Sequence, residues 1–153
     1  MRIHTWLLFG ILGTSAQAPS PNPAPDCLTP LEKIRLQTEV KLDNRIKIYT
    51  EGCARCSDSL SNLIQQQNLQ EVPALLQSWL EMLEASVRDI KASPGRKDKS
   101  RALLRYEIRL RKAIDAVQES KIKANLEQQD QFESWLARAE TLRKKLVALL
   151  FPK

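Results

Sequence analysis

The cysteines are the residues of this chain best suited to chemistry. Cys53 and Cys56 form a Cys-x-x-Cys motif, and Cys27 is the third cysteine. A c-type haem site needs a His directly after the motif, where this chain has Ser57. A closed zinc site needs four ligands, and the only His of the chain is His4. A thioredoxin-like site needs the motif at a helix N-terminus after a strand, whereas here it lies inside a helical pattern.

The apolar periodicity around the motif favours a structural role for both of its thiols. Apolar or semi-apolar residues recur every three or four positions: Leu42, Ile46, Tyr49, Cys53, Cys56, Leu60 and Leu63. This is the pattern of a helix that packs against other helices, in which buried Cys acts as a small hydrophobic residue. A Cys53–Cys56 disulfide is the alternative, because Cα atoms three residues apart in a helix are about 5 Å apart.

Cys27 is predicted not to reach the motif. If one helix is continuous from Leu31, about 33 Å of helix precedes Cys53. We therefore predict that Cys27 is either free or forms an intermolecular disulfide, which would link two copies of the chain into a homodimer.

The N-terminal composition predicts export. Residues 1–16 have a basic Arg2, an apolar run over 6–12 and small residues after it, as in a signal peptide. The expected destination is the bacterial periplasm or the medium, with no membrane span after cleavage. Cysteines tend to pair in such oxidising compartments. Residues 17–28 are rich in Pro and are predicted to be an extended linker.

Residues 29–153 are predicted to form an all-α domain. Helices are expected over about 30–67, 70–92, 98–121 and 126–151, and their short connections predict an up-down-up-down four-helix bundle. Helix starts are marked by Thr29, Asn68 and Asn125, and Ser93-Pro94-Gly95 breaks the second helix. The first helix would overhang the others by about 15–20 Å, and this overhang is a candidate partner site.

One basic stretch accounts for the whole net charge of +6. Residues 96–112 contain eight basic and two acidic residues. The candidate residues for binding an anion or a partner are Arg96, Lys97, Lys99, Arg101, Arg105, Arg109 and Lys112. The stretch predicts contact with a protein or an anionic envelope component, the alternative being a solvated helix face. Nucleic acid is not expected, because no aromatic residues alternate with the basic ones as stacking requires.

The sequence argues against an enzyme. His4 would leave with the signal peptide, and no Gly-rich phosphate loop or nucleophile with a visible base is present. We predict an exported, non-enzymatic helical bundle without a cofactor, which acts through contacts as an adaptor, an envelope-associated protein or a holdase-like protein. The alternative hypothesis is a thiol-based redox sensor or metal binder that uses Cys53 and Cys56.

Overall fold

The computed structural model describes residues 26–153, and these residues are helical, with no strand among them. The helices are α1 (Pro30–Thr38), α2 (Leu42–Gln65), α3 (Val72–Ala92), α4 (Arg101–Lys123) and α5 (Gln129–Leu150). Short 3-10 turns at Leu69–Glu71 and Leu126–Gln128 precede α3 and α5. The predicted all-helical class is confirmed, with five helices in this part of the chain rather than four. The predicted signal peptide lies outside the described residues, as does the linker up to residue 25.

No helix within residues 26–153 combines the length and the apolar character that a membrane span requires.

Local side-chain caps explain where some helices begin. The Thr29 hydroxyl accepts a hydrogen bond from the backbone N–H of Glu32, and the Glu32 carboxylate accepts one from the backbone N–H of Thr29. This capping box satisfies two backbone donors that a helix start would otherwise leave unpaired. The Asn125 side chain caps the turn before α5 by accepting from the backbone N–H of Gln128. Asn68, also predicted as a cap, makes no such bond.

The predicted single helix over residues 30–67 is two helices, because the chain leaves the helical conformation at residues 39–41. Glu39 and Lys41 have extended backbones, with ψ of 119° in both. The Arg45 guanidinium donates hydrogen bonds to the carbonyl oxygens of Glu39 and Val40, at 3.0 and 3.1 Å. These bonds satisfy two backbone carbonyl oxygens that a continuous helix would have paired with its own N–H groups. As a result α1 lies against α2, and the predicted long, overhanging first helix is not confirmed.

The four longer helices contact one another in a closed ring, in the order α2, α3, α5, α4. Successive helices run in opposite directions, so the neighbours α2 and α4 are parallel. The two helix starts meet where the Ser100 hydroxyl donates to the Asp43 carboxylate at 3.0 Å. Helices α3 and α5 are the second parallel pair. The connection between α3 and α4 therefore crosses the diagonal of the ring, which the prediction from short links did not anticipate.

Aromatic pairs join the helices inside the ring. The Trp79 ring of α3 and the Trp135 ring of α5 are 4.7 Å apart between centroids, and both residues are almost fully buried. Tyr49 of α2 and Tyr106 of α4 stack with centroids 6.4 Å apart. Such pairs stabilise beyond their burial of apolar area. Each pair joins two helices that are neighbours in the ring.

Gly52 permits a close approach at the middle of α2. A Cβ atom at this position would lie 2.7 Å from Met82 Sδ, 2.9 Å from Leu28 Cδ2 and 3.1 Å from the Cys27 carbonyl oxygen. A side chain here would force the Met82 and Leu28 side chains and the Cys27 carbonyl to shift. Glycine therefore lets α3 and the segment before α1 pack on the same turn of α2.

We predict that Gly52→Leu lowers the free energy of unfolding by about 2 kcal/mol or more, because the new side chain overpacks this contact. Leucine favours helix, so the loss measures steric conflict rather than helix propensity. Chemical denaturation followed by circular dichroism measures it. Glu51→Leu, on the exposed face of the same turn, is the control and should change stability little; equal stability of Gly52→Leu and wild type would contradict the close packing.

Candidate functional sites

A disulfide joins Cys27 to Cys56 within the chain, with Cα atoms 5.2 Å apart. Both residues are buried, at 0% and 1% exposure. The prediction that Cys27 cannot reach the motif, and is free or intermolecularly bonded, was therefore wrong. Cys56 is buried as predicted but is bonded to Cys27, so it is not a free core thiol, and the alternative Cys53–Cys56 disulfide is not formed. The premise of a continuous first helix was wrong. The turn at residues 39–41 lets α1 run back beside α2 and brings Cys27 to the level of the motif.

Arg55, inside the motif, fixes the segment that carries Cys27. Its guanidinium donates to both carboxylate oxygens of Glu32, at 2.8 and 2.9 Å, and also to the Cys27 carbonyl oxygen. Paired contacts between guanidinium and carboxylate are among the stronger hydrogen bonds in proteins. Burial by itself would raise the pKa of Glu32, but the bonds from Arg55 and from the Thr29 amide lower it below its usual value. Residues 26–38 are thus attached to α2 by a covalent bond and by an ion pair.

Cys53 lies in the hydrophobic core with no exposed surface. It is the free cysteine of the described residues. Burial raises the pKa of its thiol to about 12. The thiol is therefore neutral at physiological pH and is a poor nucleophile, because the reactive form is the thiolate. Its burial agrees with the predicted role as a small core residue. Residues 26–153 contain no group of three or more His, Cys, Asp or Glu side chains placed to hold a metal ion.

The basic stretch divides into a loop and a helix face. In the loop, Arg96 forms an ion pair with Asp98 at 2.6 Å, and Lys97 donates a hydrogen bond to the Ser93 carbonyl oxygen. Lys99 is exposed. Two of the three predicted loop residues thus bond to nearby residues of the same loop. The remaining candidates lie together on α4.

Arg101, Arg105, Arg109 and Lys112 lie along α4 where it meets α2, and they form the wall of a groove between the two helices. Two depressions of about 350 and 260 Å³ make up this groove and share Thr50 and Arg105. The residues that line it, here called the α2–α4 groove, are Asp43, Lys47, Thr50, Glu51, Arg101, Ala102, Arg105, Ile108, Arg109 and Lys112.

The cationic side chains of the α2–α4 groove are exposed and have no ion-pair partner within residues 26–153. These are Lys47, Arg101, Arg105, Arg109 and Lys112. None of the ion pairs formed within residues 26–153 includes any of the five. Residues 1–25 contain no Asp or Glu. Asp43 and Glu51 reduce the charge of the lining from +5 to +3. The groove therefore has a net positive potential that its own side chains do not neutralise.

Lys47 is the groove cation that was not predicted from the sequence. It lies outside the basic stretch, on α2, and reaches the groove only because α2 and α4 are neighbours in the ring. Asp43, Lys47 and Glu51 are spaced by four residues and so share one face of α2. That spacing predicts a common face, but it does not indicate which helix the face adjoins.

Comparison with known proteins adds no identification. No family model, curated protein or solved structure matches the chain. The disulfide region and the α2–α4 groove are therefore the features from which a function can be inferred.

We predict that replacing both disulfide cysteines, Cys27→Ala with Cys56→Ala, lowers the free energy of unfolding by about 3.5 kcal/mol. The bond closes a loop with a sequence separation of 29 residues, and its loss returns that entropy to the unfolded chain. Urea denaturation measures the change. Cys53→Ala, which removes a core thiol but no bond, should cost only about 1 kcal/mol.

The same pairing predicts the result of thiol labelling. The folded protein should react with no thiol reagent, the unfolded protein with one equivalent, and the unfolded and reduced protein with three equivalents. A dimer band on non-reducing electrophoresis, or more than one reactive thiol before reduction, would contradict the intrachain bond.

The ion pair between Arg55 and Glu32 predicts how the stability of the protein depends on pH. Because the pKa of folded Glu32 is lowered, its contribution to stability is present above pH 4.5 and is lost as the pH falls through the lowered pKa. Wild type should therefore lose stability below pH 4.5 more steeply than Glu32→Gln, which has no charge to lose. Thermal unfolding between pH 2 and 6 gives the comparison. Glu119→Gln, at an exposed position of α4, should keep the wild-type slope; the same slope in Glu32→Gln and wild type would refute the ion-pair effect.

Proposed function

We propose that this chain is an exported, non-enzymatic helical protein that binds an anionic partner, a protein or an envelope component, through the α2–α4 groove. The observation that carries the proposal is the set of five exposed cations in one groove, none of them paired with a carboxylate in the part of the chain that the structure describes. An uncompensated row of charge attracts an oppositely charged surface and accelerates its association.

The disulfide supports the exported location. Structural disulfides persist in oxidising compartments and are rare where thiols are kept reduced. The bond between Cys27 and Cys56 is buried and closes the N-terminal segment over α2. Together with the composition of residues 1–16, this favours export to the periplasm or to the medium.

The ring of helices supports a function by contact. We propose that α2 to α5 work as a four-helix bundle, a scaffold that holds the groove in one shape. The groove lies between two helices of 24 and 23 residues, and both are anchored by buried seams. Its side chains are therefore carried on a rigid backbone, which does not have to be ordered when a partner binds.

The alternative, a thiol sensor or metal binder through Cys53 and Cys56, has less support. Cys56 is bonded to Cys27, and Cys53 is fully buried with a raised thiol pKa. The two sulfur atoms are thus in different chemical states. A sensor would need a thiolate that an oxidant can reach.

Charge reversal tests the proposal. The triple variant Arg101→Glu, Arg105→Glu, Arg109→Glu should bind poly-L-glutamate at least about tenfold more weakly than wild type, since three attractions become repulsions of up to about 1 kcal/mol each. Isothermal titration calorimetry at 50 and 200 mM salt measures it, and wild-type binding should weaken as salt increases.

The matched control reverses three exposed cations on the opposite side of the ring. Arg88, Lys91 and Lys145 lie between α3 and α5, so their reversal changes the net charge equally but leaves the α2–α4 groove intact. This control should keep most of the affinity. Equal losses in the two triple variants would show that net charge alone matters, and unchanged binding in the groove variant would refute the proposal.

A further inference from the structure

The cations on the α4 side of the groove recur every three or four residues, so they lie on one face of the helix. Arg101, Arg105 and Arg109 are four residues apart, so each step rises about 6 Å along α4. Lys112 continues the same face three residues later. The row thus presents positive charge at a nearly regular interval over about 16 Å.

A short apolar row of two residues runs beside the cationic row with the same interval. Leu104, which lies outside the groove lining, is 42% exposed although it is a large hydrophobic residue, and the half-buried Ile108, four residues later, lines the groove. On a helix of 3.6 residues per turn, Leu104 and Ile108 lie next to the face that holds Arg105 and Arg109. A partner that follows both rows needs acidic groups and apolar groups side by side, each repeated about every 6 Å.

The α2 side of the groove has the same repeat but alternating charge. Asp43, Lys47 and Glu51 follow one another at intervals of four residues on α2. Because Ser100 contacts Asp43 and the two helices are parallel, Lys47 lies near the level of Leu104 and Glu51 near that of Ile108. Residues that recur every four positions on the two sides of the groove therefore lie at matching heights along the helices. The α2 side favours a partner with fixed positions of charge over a uniform polyanion.

We infer that the partner presents an acidic amphipathic helix that lies along the α2–α4 groove. Its carboxylates, spaced by three or four residues, contact Arg101, Arg105, Arg109 and Lys112, and its adjacent apolar residues cover Leu104 and Ile108. This inference rests on the proposed function and names its partner class. An α-helix repeats its faces at the interval seen in the groove, whereas a polyphosphate or an acidic polysaccharide carries the charge without the apolar row.

Three synthetic helical peptides of equal length test the inference against the full chain. The first has glutamates on one face and leucines on the adjacent face. The second has the same composition with the glutamates distributed around the helix. The third keeps the glutamate face and replaces the leucines by alanine. Fluorescence anisotropy of labelled peptides gives the affinities, and the first peptide should bind at least about tenfold more tightly than either control.

Protein variants test whether the groove and the adjacent Leu104 cause the preference for the first peptide. Leu104→Gln, at an exposed position, should bring the affinity for the first peptide to within a few fold of that for the third, and should leave poly-L-glutamate binding unchanged. The Arg101, Arg105 and Arg109 reversal should abolish binding of all three peptides. Equal affinity for the three peptides would overturn the amphipathic-helix partner while leaving the proposed function in place. Absence of binding to any peptide and to poly-L-glutamate would overturn both.

Discussion

The guanidinium of Arg45 holds the turn on which the arrangement of the N-terminal part depends. It donates to the carbonyl oxygens of Glu39 and Val40, and also to the Asp89 carboxylate and the Ser93 hydroxyl near the end of α3. One side chain thereby satisfies the backbone at the break between α1 and α2 and attaches that break to a neighbouring helix. If residues 30–65 formed one straight helix, Cys27 would lie far from Cys56 and their disulfide could not form.

The sequence predicted features that depend on local spacing. Apolar residues at intervals of three and four located the seam of α2, and the capping signals at Thr29 and Asn125 are used as expected. The apolar residues of 31–40 differ in phase from the seam that begins at Leu42, and this difference coincides with the break. The break itself could not be predicted, because it depends on Arg45 reaching carbonyl groups five and six residues earlier. Neither Pro nor Gly marks it.

Neighbour relations between helices were the second feature that spacing could not supply. In the simplest antiparallel ring, successive helices would be neighbours, and α2 would adjoin α3 and α5. In the structure α2 adjoins α3 and α4. Only this order places Lys47 beside Arg101 and Arg105 in one groove. The basic row on α4 was visible as a composition bias, but its partner row on α2 depends on tertiary packing, which residue spacing on a single helix does not encode.

Helix α2 therefore carries two different contacts on two of its edges. On the edge toward α3, the side chains of Met82 and Leu28 pack against Gly52, and the disulfide at Cys56 holds the N-terminal segment over that edge. Toward α4, Lys47 and Thr50 line the groove. Loss of the disulfide would raise the entropy of the unfolded chain and loosen the first edge, but it removes no residue from the second. The disulfide contact and the proposed partner contact thus lie on different edges of one helix, so a folded protein without the disulfide should still present its cationic row.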